Sequence, residues 1–112
     1  MTQNTGSFAS FADFWPFYLH EHRLPANRAC HYVGTASALA WLGCTLATGH
    51  FGLAALALVA GYAPAWFGHF VIEHNRPATF KHPLWSLMGD FKMLGYFVTG
   101  RLGAELARLG LD

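Results

Sequence analysis

Two long runs without formal charge dominate the pattern of apolar and polar positions. No charged residue lies between Arg28 and Thr48 or within residues 51–72, and only Gly49 and His50 separate the two runs. Each run has about 21 residues, which is enough for a helix to cross the hydrocarbon core of a bilayer. The short break leaves room only for a tight turn between them. The pattern therefore predicts an antiparallel transmembrane helical hairpin.

A shorter helix is predicted before the hairpin. It starts near Phe8 and is expected to kink or restart near Trp15, because Pro16 removes a helical hydrogen bond. The segment is too short to span a bilayer, and its aromatic content is typical of a helix that lies at the lipid headgroups. A core helix of a soluble bundle is the alternative. The segment Leu24-Pro25-Ala26-Asn27 then predicts a turn in which Asn27 caps the first long helix.

A third helical pattern follows the hairpin. Pro83 suits the first turn of a helix, and apolar residues recur after it at helical spacing, opposite Asp90 and Lys92. Two charges within the run indicate an amphipathic or partly buried helix, and Asp90 is expected to pair with a basic residue. Residues 102–111 predict a short terminal helix. The fold class is therefore all-α, a membrane hairpin with amphipathic or membrane-embedded helices at both ends.

Composition supports a lipid environment and a single domain. Charged residues make up 12% of the 112-residue chain and hydrophobic residues 54%, whereas soluble domains carry about a quarter charged residues. Residues 1–112 are long enough for one helical membrane domain and no more. The net charge of +1 argues against nucleic acid as a partner, because phosphate neutralisation needs a basic face.

The positions of the basic residues predict the orientation of the hairpin. Arg23 and Arg28 precede the first run, Arg76 and Lys81 follow the second, and the connecting turn has no lysine or arginine. Such residues collect on the cytoplasmic side of membrane proteins. Both open ends of the hairpin are therefore expected to face the cytoplasm.

Three histidines and one carboxylate are expected at the open end of the hairpin. His31 and His69 lie at similar distances from the turn, so they should face each other at about the same height. Glu73 is one helical turn beyond His69, and His22 reaches the same level from the preceding segment. Each histidine alone is more often a hydrogen-bonded interfacial residue than a ligand. Their convergence predicts a metal site, and imidazole with carboxylate suits zinc or ferrous iron.

The residues at this end also resemble those of a known family. The motifs are Tyr18-x-x-x-His22, Pro25-x-Asn27-x-x-x-His31 and Gly68-His69-x-x-x-Glu73-x-x-x-Pro77-Ala78. Over roughly residues 14–80 the chain resembles the small membrane-protein family that includes the yeast endoplasmic-reticulum 2-hydroxy fatty acid dioxygenase. After Ala78 the chain is more polar than the yeast-like members, which implies a shorter, bacterial branch located in the inner membrane.

The resemblance implies a multi-pass helical membrane protein that uses Fe(II) and molecular oxygen to shorten a 2-hydroxy fatty acid by one carbon, a step of fatty acid α-oxidation. It implies His22, His31 and His69 as metal ligands, with Glu73 as the accompanying acid. Arg76 or Arg28 is expected to neutralise the substrate's carboxylate, and Asn27 is either a helix cap or a hydrogen-bond partner of a ligand.

The leading hypothesis is therefore an Fe(II)-dependent dioxygenase acting on a fatty acid at the membrane surface, with Glu73 and Arg76 as catalytic residues. One alternative is a haem-binding membrane electron carrier with His31 and His69 as axial ligands. Another is a non-catalytic membrane interaction protein whose histidines only form hydrogen bonds. The sequence does not predict the oligomeric state.

Overall fold

The computed structural model describes residues 8–111, and this part of the chain is helical without a strand. The all-α prediction is confirmed. The elements, in chain order, are α1 (Phe11–Glu21), α2 (Pro25–Thr48), α3 (Leu53–Phe67), a π-helical turn (Gly68–Glu73), a 3-10 turn (Ala78–Phe80), α4 (Pro83–Val98) and α5 (Leu102–Arg108).

The central feature is an antiparallel pair formed by α2 and α3. Gly34 of α2 lies directly against Gly61 of α3, where a Cβ atom on Gly34 would be 2.6 Å from the Gly61 carbonyl oxygen. The two backbones come this close only because neither residue has a side chain. At the other end of the pair, Gly49 adopts a positive φ of 72° and ends α2, a conformation that glycine reaches without steric cost. The pair brings the start of α2 beside the end of α3.

Only one described helix is long and apolar enough to cross a membrane, judged by length and composition. It is the continuous segment Leu53–Glu73, formed by α3 and the π-helical turn. α2 has 24 residues but is not among the helices that meet this criterion. The helical pair is therefore present, while its assignment as two membrane spans is supported for the second helix alone.

α1 is the most deeply buried helix of the protein. It begins at Phe11, later than predicted, because Ser10 Oγ accepts a hydrogen bond from the Asp13 backbone N–H. It continues without interruption through Pro16, so the helix does not restart near Trp15. Its buried side chains pack against α4 and α5 and leave little of the helix for contact with headgroups. They are Phe14, Trp15, Phe17, Tyr18 and Leu19.

The start of α2 also differs from the prediction. The helix begins at Pro25, with Leu24 in the N-cap position, because proline at the first helical position lacks only an N–H that would have no partner there. Asn27 therefore lies within the first turn, fully buried, and its side chain caps nothing. The prediction of Asn27 as an N-cap is wrong.

α4 turns Ser86, Gly89 and Met93 inward and most of its other large apolar side chains outward. Gly89 packs against the ring of Tyr18, where a Cβ atom would lie 2.7 Å from ring carbons, and Ser86 is buried beside it. Leu84 and Val98 are 66% and 71% exposed. Large apolar surfaces of this kind mark contact with lipid or another protein. The inward side of α4 places Asp90 at the end of the helical pair.

Candidate metal centre

Three histidines from three different elements meet inside the protein. His22 follows the end of α1, His31 lies on α2, and His69 lies in the π-helical turn that extends α3. The ring centroids are 4.2 Å apart for His22 and His31, 4.4 Å for His22 and His69, and 4.9 Å for His31 and His69. One ring nitrogen from each lies within 4.8 Å of the others. We call this group the tri-histidine cluster.

Each ring of the cluster is held by a hydrogen bond at Nδ1. The partners are the Tyr18 carbonyl oxygen for His22 at 2.6 Å, Asp90 Oδ1 for His31 at 3.1 Å and Asn75 Oδ1 for His69 at 2.7 Å. A carbonyl oxygen only accepts, and so does an ionised carboxylate, so these contacts place the proton on Nδ1 and leave Nε2 with a free lone pair.

The free nitrogens of the cluster fit a metal ion. Nε2 of His22 and Nε2 of His31 are buried and have no hydrogen-bond partner among residues 8–111. A buried polar atom without a partner is costly and needs an explanation. Metal-binding histidines almost always donate their other ring N–H to a carboxylate, carbonyl or similar acceptor. The donor set, the burial and the Nδ1 partners therefore all suit a metal bound through Nε2.

The surroundings of the cluster favour the neutral form of His22, which can bind a metal ion. Burial lowers the pKa of His22 well below its usual value, and the neighbouring His31 and His69 lower it further. His22 is therefore neutral at pH 7, which is the form that coordinates a metal. Burial raises the pKa of Asp90, while the hydrogen bond from the Tyr18 hydroxyl opposes that rise.

Asp90 and Asn75 orient the cluster, and sequence reasoning did not assign either residue to it. Asp90 accepts hydrogen bonds from both Tyr18 Oη and His31 Nδ1. The partner expected for Asp90 was a basic residue, and among the described residues it pairs with His31 and with the phenol of Tyr18. Asn75 accepts from His69 and donates to the Glu21 carbonyl oxygen at 2.9 Å. In the sequence, the only indication that Asp90 has a special role was that it is an isolated acidic residue in a largely apolar helix.

The π-helical turn and Asn27 complete the walls of the cluster. Gly68 precedes His69 and packs so tightly on Asn27 that a Cβ atom there would overlap Asn27 Oδ1. The amide nitrogen and oxygen of Asn27 are both buried without a partner. π-helical turns occur frequently at functional sites. Here the wider turn ends at His74, whose φ of 61° lies in the left-handed region, a cost that surrounding structure must offset.

Glu73, expected in the metal site, is placed beside the turn between α1 and α2. Its Oε1 atom accepts a 2.5 Å hydrogen bond from the Leu24 backbone N–H. Its Oε2 atom is buried and has no partner. Among the described residues, the group whose ligand atoms lie close enough to share one ion contains the three histidines and not Glu73.

The two arginines considered for substrate binding have different surroundings. Arg28 donates to the carbonyl oxygens of His22 at 3.0 Å and Arg23 at 2.9 Å, so it fixes the backbone that carries His22. Arg76 lies with its guanidinium carbon 5.5 Å from the centre of the Phe80 ring. It lines a cavity of about 470 Å³ that Lys81 also lines. The structure brings neither arginine into the tri-histidine cluster.

A haem between His31 and His69 does not fit this arrangement. Their ring centroids are only 4.9 Å apart, and His22 lies within 4.4 Å of both. A porphyrin would have to occupy the space that the His22 ring fills. The alternative of a haem-binding electron carrier with these axial ligands is therefore wrong.

The fold and the cluster together define a helical protein with a buried tri-histidine site suited to a metal. The family model described as 2-hydroxy-palmitic acid dioxygenase Mpo1-like matches residues 8–102. The chain belongs to this family, and the resemblance noted from its motifs is confirmed. The match extends through α4, so the more polar segment that follows Ala78 lies within the matched region as far as residue 102. No curated protein and no solved structure matched the chain.

A change at Asn75 tests the hydrogen bond that orients His69. Asn75→Ala removes the acceptor for His69 Nδ1, and we expect metal affinity to fall about 10- to 100-fold, as for other residues that orient metal ligands. Asn75→Asp keeps an acceptor oxygen and is expected to retain most of the affinity. Titration with Fe(II) under anaerobic conditions measures both. Equal affinities for the wild type and Asn75→Ala would show that the hydrogen bond does not orient a ligand.

Proposed function

We propose that this protein is an Fe(II)-dependent dioxygenase that shortens a 2-hydroxy fatty acid by one carbon at a membrane. The observation that carries the proposal is the cluster of three buried imidazoles, each with Nδ1 engaged. The family's description, which names a dioxygenase of 2-hydroxy-palmitic acid, supports the substrate class. Membership of the family does not by itself assign the dioxygenase activity to this chain, so the proposal is argued from the residues of the site.

His22, His31 and His69 would hold the iron through Nε2. When bound, Fe(II) would supply the redox chemistry with oxygen and a Lewis acid for the oxygen atoms of the substrate. Three protein ligands leave coordination positions open, as in iron enzymes that bind substrate and oxygen together. The shell of Tyr18, Asp90 and Asn75 keeps the rings in one tautomer and excludes water from their Nδ1 atoms.

The proposed reaction balances without a further co-reactant. The bond between carbons 1 and 2 of the acid breaks, carbon 1 leaves as carbon dioxide, and carbon 2 becomes the carboxyl carbon of the shortened acid. The substrate loses four electrons, and molecular oxygen accepts them. The products, which are the shortened acid, carbon dioxide and water, together contain all the atoms of the 2-hydroxy acid and of one oxygen molecule.

Glu73 and Arg76 are proposed to act on the substrate. Glu73 Oε2 is buried without a partner, which leaves a carboxylate oxygen free to accept the proton of the substrate's hydroxyl group. Arg76 and Lys81 line a cavity that Glu21 also lines; the two basic side chains outnumber the one acidic side chain and favour the approach of a carboxylate. In this proposal Arg28 supports the backbone of His22 and does not bind substrate.

A membrane location is part of the proposal. The segment Leu53–Glu73 is apolar and long enough to span, and large side chains such as Leu84 and Val98 are exposed on α4. A 2-hydroxy fatty acid dissolves in lipid, so a membrane protein meets it there at high local concentration. The basic residues beside the ends of the helical pair favour an orientation with the cluster near the cytoplasmic side. The proposed membrane is a bacterial inner membrane, as the family resemblance implies.

Oxygen uptake tests the proposal directly. The protein is purified in detergent, loaded with Fe(II) without oxygen, and mixed with oxygen and 2-hydroxypalmitate. We expect about one oxygen molecule consumed for each pentadecanoate formed, as the electron balance requires. Palmitate and 3-hydroxypalmitate are the matched controls and should not react, because neither has a hydroxyl group next to the carboxyl carbon. A protein that binds iron but consumes no oxygen with 2-hydroxypalmitate would contradict the proposal.

A further inference from the structure

A long apolar groove lies between α2, α3 and α4, outside the tri-histidine cluster. Its volume is about 650 Å³, within the range of small-molecule sites. Apolar side chains form most of its wall, and its one charged residue is Asp90. We call it the lateral groove; its wall includes Thr35, Leu39, Leu42, Ala55, Leu58 and Phe91.

We propose that the lateral groove holds the alkyl chain of the substrate, and that Leu58 and Ala55 determine the longest chain that it accepts. This inference rests on the proposed function, since it supplies the place of the hydrocarbon tail in that reaction. It goes further by assigning the tail to one surface of the protein and chain-length selection to two residues of α3.

The first support is that the groove and the cluster meet at one residue. Asp90 lines the groove and also accepts the hydrogen bond from His31 Nδ1. The polar end of the groove is therefore one side chain from the cluster, while the rest of it is hydrocarbon. An acid with its carboxyl and hydroxyl groups at the cluster and its chain in the groove would have each part in a matching environment.

The second support is the position of the groove on the candidate membrane span. Ala55 and Leu58 belong to Leu53–Glu73, and Leu58 is 63% exposed. The side of the groove formed by α3 is thus open toward lipid. A fatty acid in the bilayer can move sideways into it without passing its chain through water.

The third support is length. Leu58 precedes His69 by about three helical turns, which corresponds to about 16 Å, and Ala55 precedes it by about four turns, or about 21 Å. Each carbon of an extended chain advances about 1.25 Å, so about 13 carbons reach Leu58 and about 17 reach Ala55. 2-Hydroxypalmitate passes Leu58 and ends near Ala55. 2-Hydroxylaurate ends before Leu58.

Tryptophan substitutions at adjacent positions test chain-length selection. Leu58→Trp fills the groove, whereas Val59→Trp is the matched control because Val59 is equally exposed, at 63%, and does not line the groove. We expect Leu58→Trp to lower kcat/KM for 2-hydroxypalmitate at least about tenfold and to leave 2-hydroxylaurate nearly unchanged. Val59→Trp should behave as the wild type with both acids.

A second substitution keeps the test decisive if Leu58→Trp does not fold. Ala55→Trp narrows the groove further from the cluster, so it should discriminate against 2-hydroxystearate and spare 2-hydroxylaurate. Iron content equal to that of the wild type identifies folded variants. If folded Leu58→Trp or Ala55→Trp variants keep the wild-type ratio of long-chain to short-chain activity, the groove does not hold the alkyl chain.

Photocrosslinking provides a readout that does not depend on activity. The probe is 2-hydroxypalmitate with a diazirine in the middle of its chain, and the labelled peptides are mapped by mass spectrometry. We expect labels on groove residues such as Leu39 and Leu58, and excess 2-hydroxypalmitate, but not phosphatidylcholine, should suppress them. Labels spread evenly over outward residues such as Leu84 and Val98, without competition, would show ordinary lipid contact and overturn the proposal.

The two readouts separate this inference from the proposed function. If the wild type consumes no oxygen but the probe labels the groove competitively, the proposed reaction fails and the binding surface stands. If the wild type is active but labels are not competed and chain-length selection is unaltered in folded variants, the reaction stands and the groove assignment fails.

Discussion

Replacing His31 with alanine is expected to reduce the iron content of the protein from about one atom per chain to nearly none. Loss of a residue that only orients a metal ligand weakens metal affinity by up to about 100-fold, and loss of the ligand itself should weaken it more. His22→Ala and His69→Ala should have the same effect, since the three ring nitrogens lie within 4.8 Å of one another. Elemental analysis after gel filtration measures the iron, and an oxygen electrode measures the parallel loss of oxygen uptake with 2-hydroxypalmitate.

The control for this prediction is another histidine. His50 is exposed in the turn between α2 and α3, far along the helical pair from the cluster, and His50→Ala should retain both iron and activity. His31→Gln keeps a polar side chain of similar size, so loss of iron in a folded His31→Gln variant points to the ligand and not to a cavity. Iron retained by all three alanine variants would remove these histidines from the metal site.

Replacing Gly34 with alanine is expected to destabilise the protein by about 1–3 kcal/mol, the usual cost of overpacking a close contact. The new Cβ atom would lie 2.6 Å from the Gly61 carbonyl oxygen, and a backbone atom cannot move away as a flexible side chain can. The two helices must separate. Because α2 carries His31 and the extension of α3 carries His69, iron content should fall together with thermal stability in detergent.

A second glycine of α2 provides the matched control. A Cβ atom on Gly43 would meet nothing within 4 Å, so Gly43→Ala gains helix propensity of up to about 1 kcal/mol without a clash. It should unfold at the same temperature as the wild type or higher. Equal unfolding temperatures for Gly34→Ala and Gly43→Ala would show that the contact between Gly34 and Gly61 does not hold the helical pair together.

The helical pair and the convergence of the histidines were the parts that the sequence could indicate. Long runs without charge are helical in either lipid or a protein core, and a short turn makes them antiparallel, which puts His31 and His69 at one level. Of the two histidines near the end of α1, His22 is 1% exposed and in the cluster, while the side chain of His20 is 33% exposed and contacts Glu21.

The periodicity of the sequence could not show which side of each flanking helix faces the core. A stripe of apolar residues shows that a helix has an apolar side, but it does not show whether lipid or protein covers that side. In α4 the stripe containing Leu84 and Val98 faces outward, and Gly89 and Met93 face the core. In α1 aromatic side chains fill the core, and their packing offsets the hydrogen bond lost at Pro16.

The residues that orient the cluster were missed for a different reason. Asp90 and His31 are 59 positions apart in the chain, and Asn75 joins His69 to the end of α1. Such partners depend on how helices pack, which local pattern does not specify. The π-helical turn also escaped prediction, because ordinary helical spacing was assumed through Gly68–Glu73.

Iron K-edge X-ray absorption of the iron-loaded wild-type protein tests the central claim most directly, since it reports the atoms bound to the metal. The claim predicts scattering from three imidazole rings at iron–nitrogen distances of about 2.0–2.2 Å, with the remaining positions filled by oxygen. A spectrum with one imidazole or none would contradict a site built from His22, His31 and His69.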